Sequence, residues 1–128
     1  MDTSLMINIV IIVFAGLFFY TRFAPVKGLR NLNDADFRSA VQQSKDSLLI
    51  DVREPHEYKG GFIPGAKNIP LSQLSQRMNE IPKDRDVFLY CRSGMRSKSA
   101  AKKLGRGGYR KLAHLQGGIG AWSGKVTK

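Results

Sequence analysis

Nineteen consecutive residues near the amino terminus, Thr3 to Thr21, carry no charge. At about 1.5 Å of helical rise each they span roughly 28 Å, the hydrocarbon width of a bilayer. The run centres on Ile7 to Phe19, is broken only by Asn8, and shows no amphipathic stripe to lay against a protein core. A membrane anchor is expected. Asp2, not Lys or Arg, precedes the run, and no small-x-small cleavage pattern stands near Ala24, so the anchor, residues 1–24, is predicted to be uncleaved. Arg22, Lys27 and Arg30 follow it, and this positive-inside bias predicts a single-pass protein with residues 25–128 in the cytoplasm. Ala15 and Gly16 are adjacent rather than four apart, so no GxxxG dimerisation face is present.

The roughly one hundred residues beyond the anchor suffice for one small domain and exclude a multidomain enzyme. Hydrophobic residues make up 42% of the chain and charged residues 24%, a globular composition. A single cysteine, Cys91, excludes an intramolecular disulfide and a zinc site of several thiolates. The net charge of +11, from 21 Lys and Arg against 10 Asp and Glu, suits nucleic acid, an anionic membrane surface or small anionic substrates.

Short apolar runs alternate with helical patterns. Asn33 to Gln43 reads as a helix with Asn33 as N-cap, acids in the first turn, and Phe37, Ala40 and Val41 on one face. The stretch before it, through Pro25 and Gly28, reads as linker. Leu48 to Ile50 forms a buried-strand run ending at Asp51; Pro55, Gly60, Gly61, Pro64 and Gly65 then mark loop and turn. A small strand near Asn68 and Ile69 precedes Leu71 to Ile81, where Leu74, Met78 and Ile81 fall at helical spacing. Asp86 to Tyr90 (DVFLY) is continuous and apolar enough for the centre of a sheet. Ser97 to Leu104 reads as a helix stopped by glycines, and Leu112 to Leu115 as a last strand. Strands alternating with helices predict an α/β domain with a mainly parallel sheet.

Cys91 stands directly after DVFLY and opens the loop Cys91-Arg92-Ser93-Gly94-Met95-Arg96. In parallel sheets ligands bind beyond the carboxyl ends of strands, where a loop running into a helix aims unpaired N–H groups. Those amides, the positive helix end and the Arg96 guanidinium would favour the thiolate of Cys91 and would hold an anionic substrate. Gly94 lets successive N–H groups converge where a bulky residue would resist. The bland alternative is a small buried hydrophobe at a strand end, and the neighbours argue against it.

The loop resembles the active-site loop of the rhodanese (thiosulfate sulfurtransferase) family. LIDVREPHEYKGGFIPGAKNIP, Leu49 to Pro70, resembles that family's upstream signature, and LQGGIGAW, Leu115 to Trp122, its closing one. Phe62 departs from it, since many relatives carry histidine after the glycine. The resemblance implies an α/β domain with a central, mainly parallel five-stranded sheet flanked by helices. In it Cys91 takes a sulfane sulfur from thiosulfate or another donor as a persulfide and passes it to a thiol, a protein acceptor or cyanide. Arg92 and Arg96 would steer and clamp the anion, Ser93 would donate a hydroxyl hydrogen bond, and Gly94 and Met95 would lend the cradle. No metal or organic cofactor is required.

Two other readings compete. A cysteine phosphatase or arsenate reductase also uses a thiolate in an amide cradle, but phosphatase loops place five residues between cysteine and arginine, whereas Cys91 and Arg96 enclose four. A persulfide carrier docking at the membrane would keep the same loop without turnover. Ten basic and no acidic residues follow Asp86. No nucleic-acid motif accompanies them, so they read as a solvated face that attracts anions or inner-leaflet lipid. Asp51 is expected to bond loop backbone or pair with Arg53 or Arg96, Glu54 and Glu57 to flank a turn, and Trp122 to join the core. His56 and His114 are too far apart to suggest a metal site.

Overall fold

The computed structural model describes residues 2–23 and 26–128. The predicted boundary at Ala24 and Pro25 lies outside the described residues. Helix α1 (Thr3–Phe23) is the one helix, among those described, long and apolar enough to cross a membrane, and it is a candidate anchor. Its apolar side chains, from Leu5 to Tyr20, are exposed.

Five strands form one parallel sheet: β1 (Leu29–Leu32), β2 (Ser47–Asp51), β3 (Lys67–Asn68), β4 (Asp86–Tyr90) and β5 (Leu112–Leu115), in the order β1-β5-β4-β2-β3. The predicted mainly parallel α/β architecture is thus observed. β4 is central and buried on both faces, which is why DVFLY is apolar without alternation. Its odd and even residues serve two cores. Val87 and Leu89 join Ile50, Leu74, Ala100, Ala101 and Leu104, whereas Phe88 and Tyr90 join Phe37, Leu49, Ile63 and Leu115.

Helix α2 (Asp34–Gln43) begins where expected, with Asn33 Oδ1 accepting from the Asp36 N–H at 2.8 Å, and buries Phe37 edge-on against Phe88. Helix α5 (Met95–Arg106) buries Ser97, Ala100, Ala101 and Leu104 on the opposite face of the sheet.

Three segments differ from expectation. Residues 29–32, between the predicted linker and helix and assigned no element, form the edge strand β1, because β5 offers them an open row of backbone groups. Pro55–Lys59, read as loop, is the short helix α3: Pro55 sits at its start and Glu54 and Glu57 cap each other's backbone. Leu71 to Ile81 is not one helix but α4 (Leu74–Arg77) between two 3₁₀ turns. The Tyr109 hydroxyl lies 2.8 Å from Met78 O and 2.5 Å from Ile81 O, giving the chain there a tertiary partner instead of a further helical turn.

Candidate active site

The chain leaves β2 toward α3 on one face of the sheet and leaves β4 toward α5 on the other, so the carboxyl ends of these adjacent strands bound a crevice. Cys91 stands at the β4 edge of that crevice, with no exposed surface. The loop turns under Gly94, whose φ of 105° is left-handed, and this brings the Gly94 N–H to 3.0 Å from Cys91 Sγ. Ser97, in the first turn of α5, places its Oγ 3.6 Å from the same sulfur. The thiol therefore sits against the positive end of a twelve-residue helix. Arg92, Ser93 and Met95 are exposed, whereas Gly94 is buried.

Arg96 crosses the crevice. Its two terminal nitrogens reach the Glu57 carboxylate of α3 at 2.6 and 2.9 Å, so the guanidinium predicted to clamp an anion is engaged with a carboxylate here. Hydrogen bonds from Arg96 lower Glu57 from 4.5 to about 2, and the same pair raises Arg96. Asp51 pairs with Arg53: the Arg53 Nη2 to Asp51 Oδ2 distance is 2.7 Å, and the Arg53 N–H donates to Asp51 Oδ1 at 2.9 Å. Arg53 also donates to Gly61 O at 2.6 Å. Burial opposes the Arg53 charge, but the Asp51 hydrogen bonds and charge prevail and raise it. Asp51 is in register with Tyr90, one residue before Cys91, so this buried pair braces the floor beneath the sulfur.

The closing segment grips the loop from outside. The N–H of Ile119 donates to Cys91 O at 2.8 Å and that of Gly120 to Arg92 O at 3.3 Å. Gly117 and Gly118 have φ of 80° and 65°, and a Cβ on Gly118 would lie 2.4 Å from the Arg92 carbonyl and 2.5 Å from Cys91 O. Trp122 packs edge-on against Phe37, centroids 6.3 Å apart, as a partly buried edge of the core.

A rhodanese-like domain model matches residues 34–125, well over half of the chain. The chain belongs to the rhodanese family. It is 43% identical over 121 residues to Bacillus subtilis YqhL, covering 92% of this chain and 94% of that one. It is 45% identical over 95 residues to an Allochromatium vinosum protein named sulfurtransferase, covering 72% and 89%. Among solved structures, a rhodanese-related protein from Thermoplasma volcanium superposes with a TM-score of 0.69 at 30% identity, covering 77% of this chain and 97% of that one. These similarities support sulfur transfer as the general chemistry.

Within the rhodanese fold, several contacts at the site were not read from sequence. Glu57, expected to flank a turn, holds Arg96; the available signal is an acid beside a proline that starts a helix. Ser97 and His114 were read only as a helix start and a lone histidine. A cavity of about 340 Å³ beside the loop is lined by Arg53, His56, Glu57, Arg92, Ile119 and Gly120, among others, so Arg92 faces the approach to the rhodanese loop.

Gly118→Ala should be costly. A left-handed φ costs a non-glycine residue about 1–2 kcal/mol, and the clash with the Arg92 backbone about 1–3 kcal/mol more. Lower urea midpoints and faster tryptic cleavage at Arg92 are expected; an unchanged midpoint would refute the close packing. Glu57 gives a pH signature. Because its folded value is depressed, its ion pair stabilises the fold fully above pH 4.5 and ceases to do so as pH falls toward about 2. Urea melts of the parent chain should lose stability across that interval more steeply than Glu57→Gln. Glu80, held low by Arg77 and Lys67, is common to both and cancels in the comparison.

Proposed function

We propose that this protein is a membrane-anchored sulfurtransferase in which Cys91 carries sulfane sulfur as a persulfide. The observation that carries this reading is the Gly94 N–H at 3.0 Å from Sγ at the amino end of α5. Thiolate attack on the outer sulfur of thiosulfate forms the S–S bond to Cys91 and expels sulfite. The terminal sulfur anion then lies where loop amides and the helix end favour negative charge, until a thiol or cyanide takes it. Arg92, exposed at the cavity, attracts the anion, and Ser93 offers its hydroxyl at the rim. Arg96, bound to Glu57, holds α5 against α3, while Asp51 and Arg53 hold the floor. Sγ has no exposed surface, so sulfur uptake requires the groups that cover it to move aside.

Intact-mass spectrometry after thiosulfate treatment tests this reading. One added sulfur on Cys91, removed by cyanide with steady thiocyanate release, is expected. Loading only by a protein donor, without thiosulfate turnover, would indicate the carrier instead, and phosphate release from an aryl phosphate would indicate a phosphatase.

The proposed organisation is an anchor at residues 1–24 and a cytoplasmic domain at 25–128, supported by the apolar helix and the basic residues after it. The full chain expressed in bacteria should sediment with membranes and resist alkaline extraction. Trypsin should degrade its domain in inside-out vesicles but not in intact spheroplasts; the reverse would invert the topology.

A further inference from the structure

His114 on β5 is a buried titratable side chain that the proposed sulfur transfer leaves unused. It lies directly opposite Asn31 in the β1–β5 register, and its Nε2 makes a short hydrogen bond with Asn31 Oδ1. Its Nδ1 is 2.8 Å from Ser97 Oγ, and Ser97 Oγ is in turn 3.6 Å from Cys91 Sγ. Four side chains from β1, β5, α5 and the end of β4 thus form one continuous line ending on the reactive sulfur.

The proton positions follow from what each atom can do. Asn31 Oδ1 only accepts, so Nε2 carries a proton and the neutral ring presents a lone pair at Nδ1. Ser97 has one hydroxyl hydrogen and three groups within reach, Nδ1 at 2.8 Å, Gly94 O at 3.1 Å and Sγ at 3.6 Å. Directed at the nearest, Nδ1, it leaves an oxygen lone pair toward the Cys91 S–H. Burial, with Lys98 nearby, lowers His114 and keeps the ring neutral at rest.

We infer that Ser97 and His114 form an internal proton relay that takes the proton of Cys91 when the thiolate forms and returns it when the sulfur leaves. This rests on the persulfide reading above. In the loading direction the Cys91 S–H proton passes to Ser97 Oγ as the Ser97 hydrogen passes to Nδ1. His114 becomes imidazolium, and Ser97 now donates to the thiolate. The sulfur lone pair bonds the sulfane sulfur, and the bond to the donor breaks with its electron pair on the leaving group. The imidazolium then balances the persulfide anion. When an acceptor thiol loses its proton to solvent and its sulfur bonds the terminal sulfur, the S–S pair returns to Cys91, which regains the proton from His114 through Ser97. His114 acts through Ser97 and is a positioning residue, not one that touches substrate. The charged groups facing the line are Lys98 and Arg96 of α5, the latter neutralised by Glu57 of α3; β1 contributes uncharged Asn31.

The test is the rate of Cys91 alkylation by iodoacetamide against pH, on the full chain in detergent, which needs no sulfur donor. Ser97→Ala should slow alkylation at pH 7 by about tenfold while leaving the alkaline plateau unchanged, because thiolate abundance and not access is altered. Asn31 is exposed on an edge strand. Asn31→Asp should speed alkylation at pH 6 by about threefold or more, because a carboxylate on Nε2 stabilises the imidazolium. Loosening of the fold would expose the covered thiol and raise the rate at every pH, the alkaline plateau included, so a gain confined to low pH with the plateau unchanged decides the matter even if Ser97→Ala unfolds. Imidazole nitrogen-15 spectra should show the Nε2–H form at rest and the imidazolium once Cys91 carries the persulfide. An Nε2–H ring that never changes with the thiol, or profiles unmoved by Asn31→Asp, would overturn the relay. Failure of thiosulfate loading with these pH effects intact would instead count against the persulfide reading alone.

Discussion

Cys91→Ser is expected to fold as the parent does and to take up no sulfur. The residue is wholly enclosed between the Gly94 N–H and Ser97 Oγ, and a hydroxyl fits that space with its hydrogen-bonding capacity used. A serine hydroxyl stays protonated near neutrality, however, and here its neighbours offer no strong base at hydrogen-bonding distance from the replaced atom. Loss of the nucleophile should reduce thiocyanate formation by at least ~10³-fold, since binding and amide stabilisation cannot replace the covalent step. Intact mass after thiosulfate should show no added sulfur. A Cys91→Ser protein that still produced thiocyanate would remove the basis of the proposed chemistry.

Asp51→Asn should destabilise the fold by about 3–5 kcal/mol, because removing one partner of a buried ion pair leaves the other charge uncompensated. Asp51 has no exposed surface, and the Arg53 side chain is 8% exposed. The substitution retains the shape and one accepting oxygen but removes the charge opposite the guanidinium, which keeps only neutral partners there, Gly61 O and the Tyr90 ring among them. Tyr90 adds to the effect: burial raises its hydroxyl, which accepts from the Ile63 N–H at 3.1 Å beside the same carboxylate. Urea unfolding should show a lower midpoint with an unchanged slope, and an Arg53→Leu, Asp51→Leu double variant should recover much of the loss. An unfolding free energy within about 0.5 kcal/mol of the parent's would show that the pair does not brace the loop floor.

Where local chemistry decides structure, the chain was legible. Asn33 caps α2 because its side chain reaches an N–H three residues on, a contact that needs no partner from elsewhere. The run from Asp86 to Tyr90 is continuously apolar, as the centre of a doubly covered sheet requires, and Gly94, three residues after Cys91, takes the left-handed turn that bulky side chains resist. β1 was missed because an edge strand of four residues with two exposed polar side chains has no apolar signature; pairing with β5 makes it a strand. α4 was overextended because Leu74, Met78 and Ile81 keep helical spacing, while the hydroxyl of Tyr109 ends the helix from 28 to 31 residues away.

Sequence alone thus determined that an apolar helix precedes an α/β domain and that one thiol stands at the end of its central strand, because burial periodicity and backbone conformation are properties of neighbouring residues. Tertiary structure decided the partners: Glu57 for Arg96, 39 residues apart, and Asn31 for His114, 83 apart. Strand order and register set those encounters, and neither is encoded in the spacing of residues along the chain.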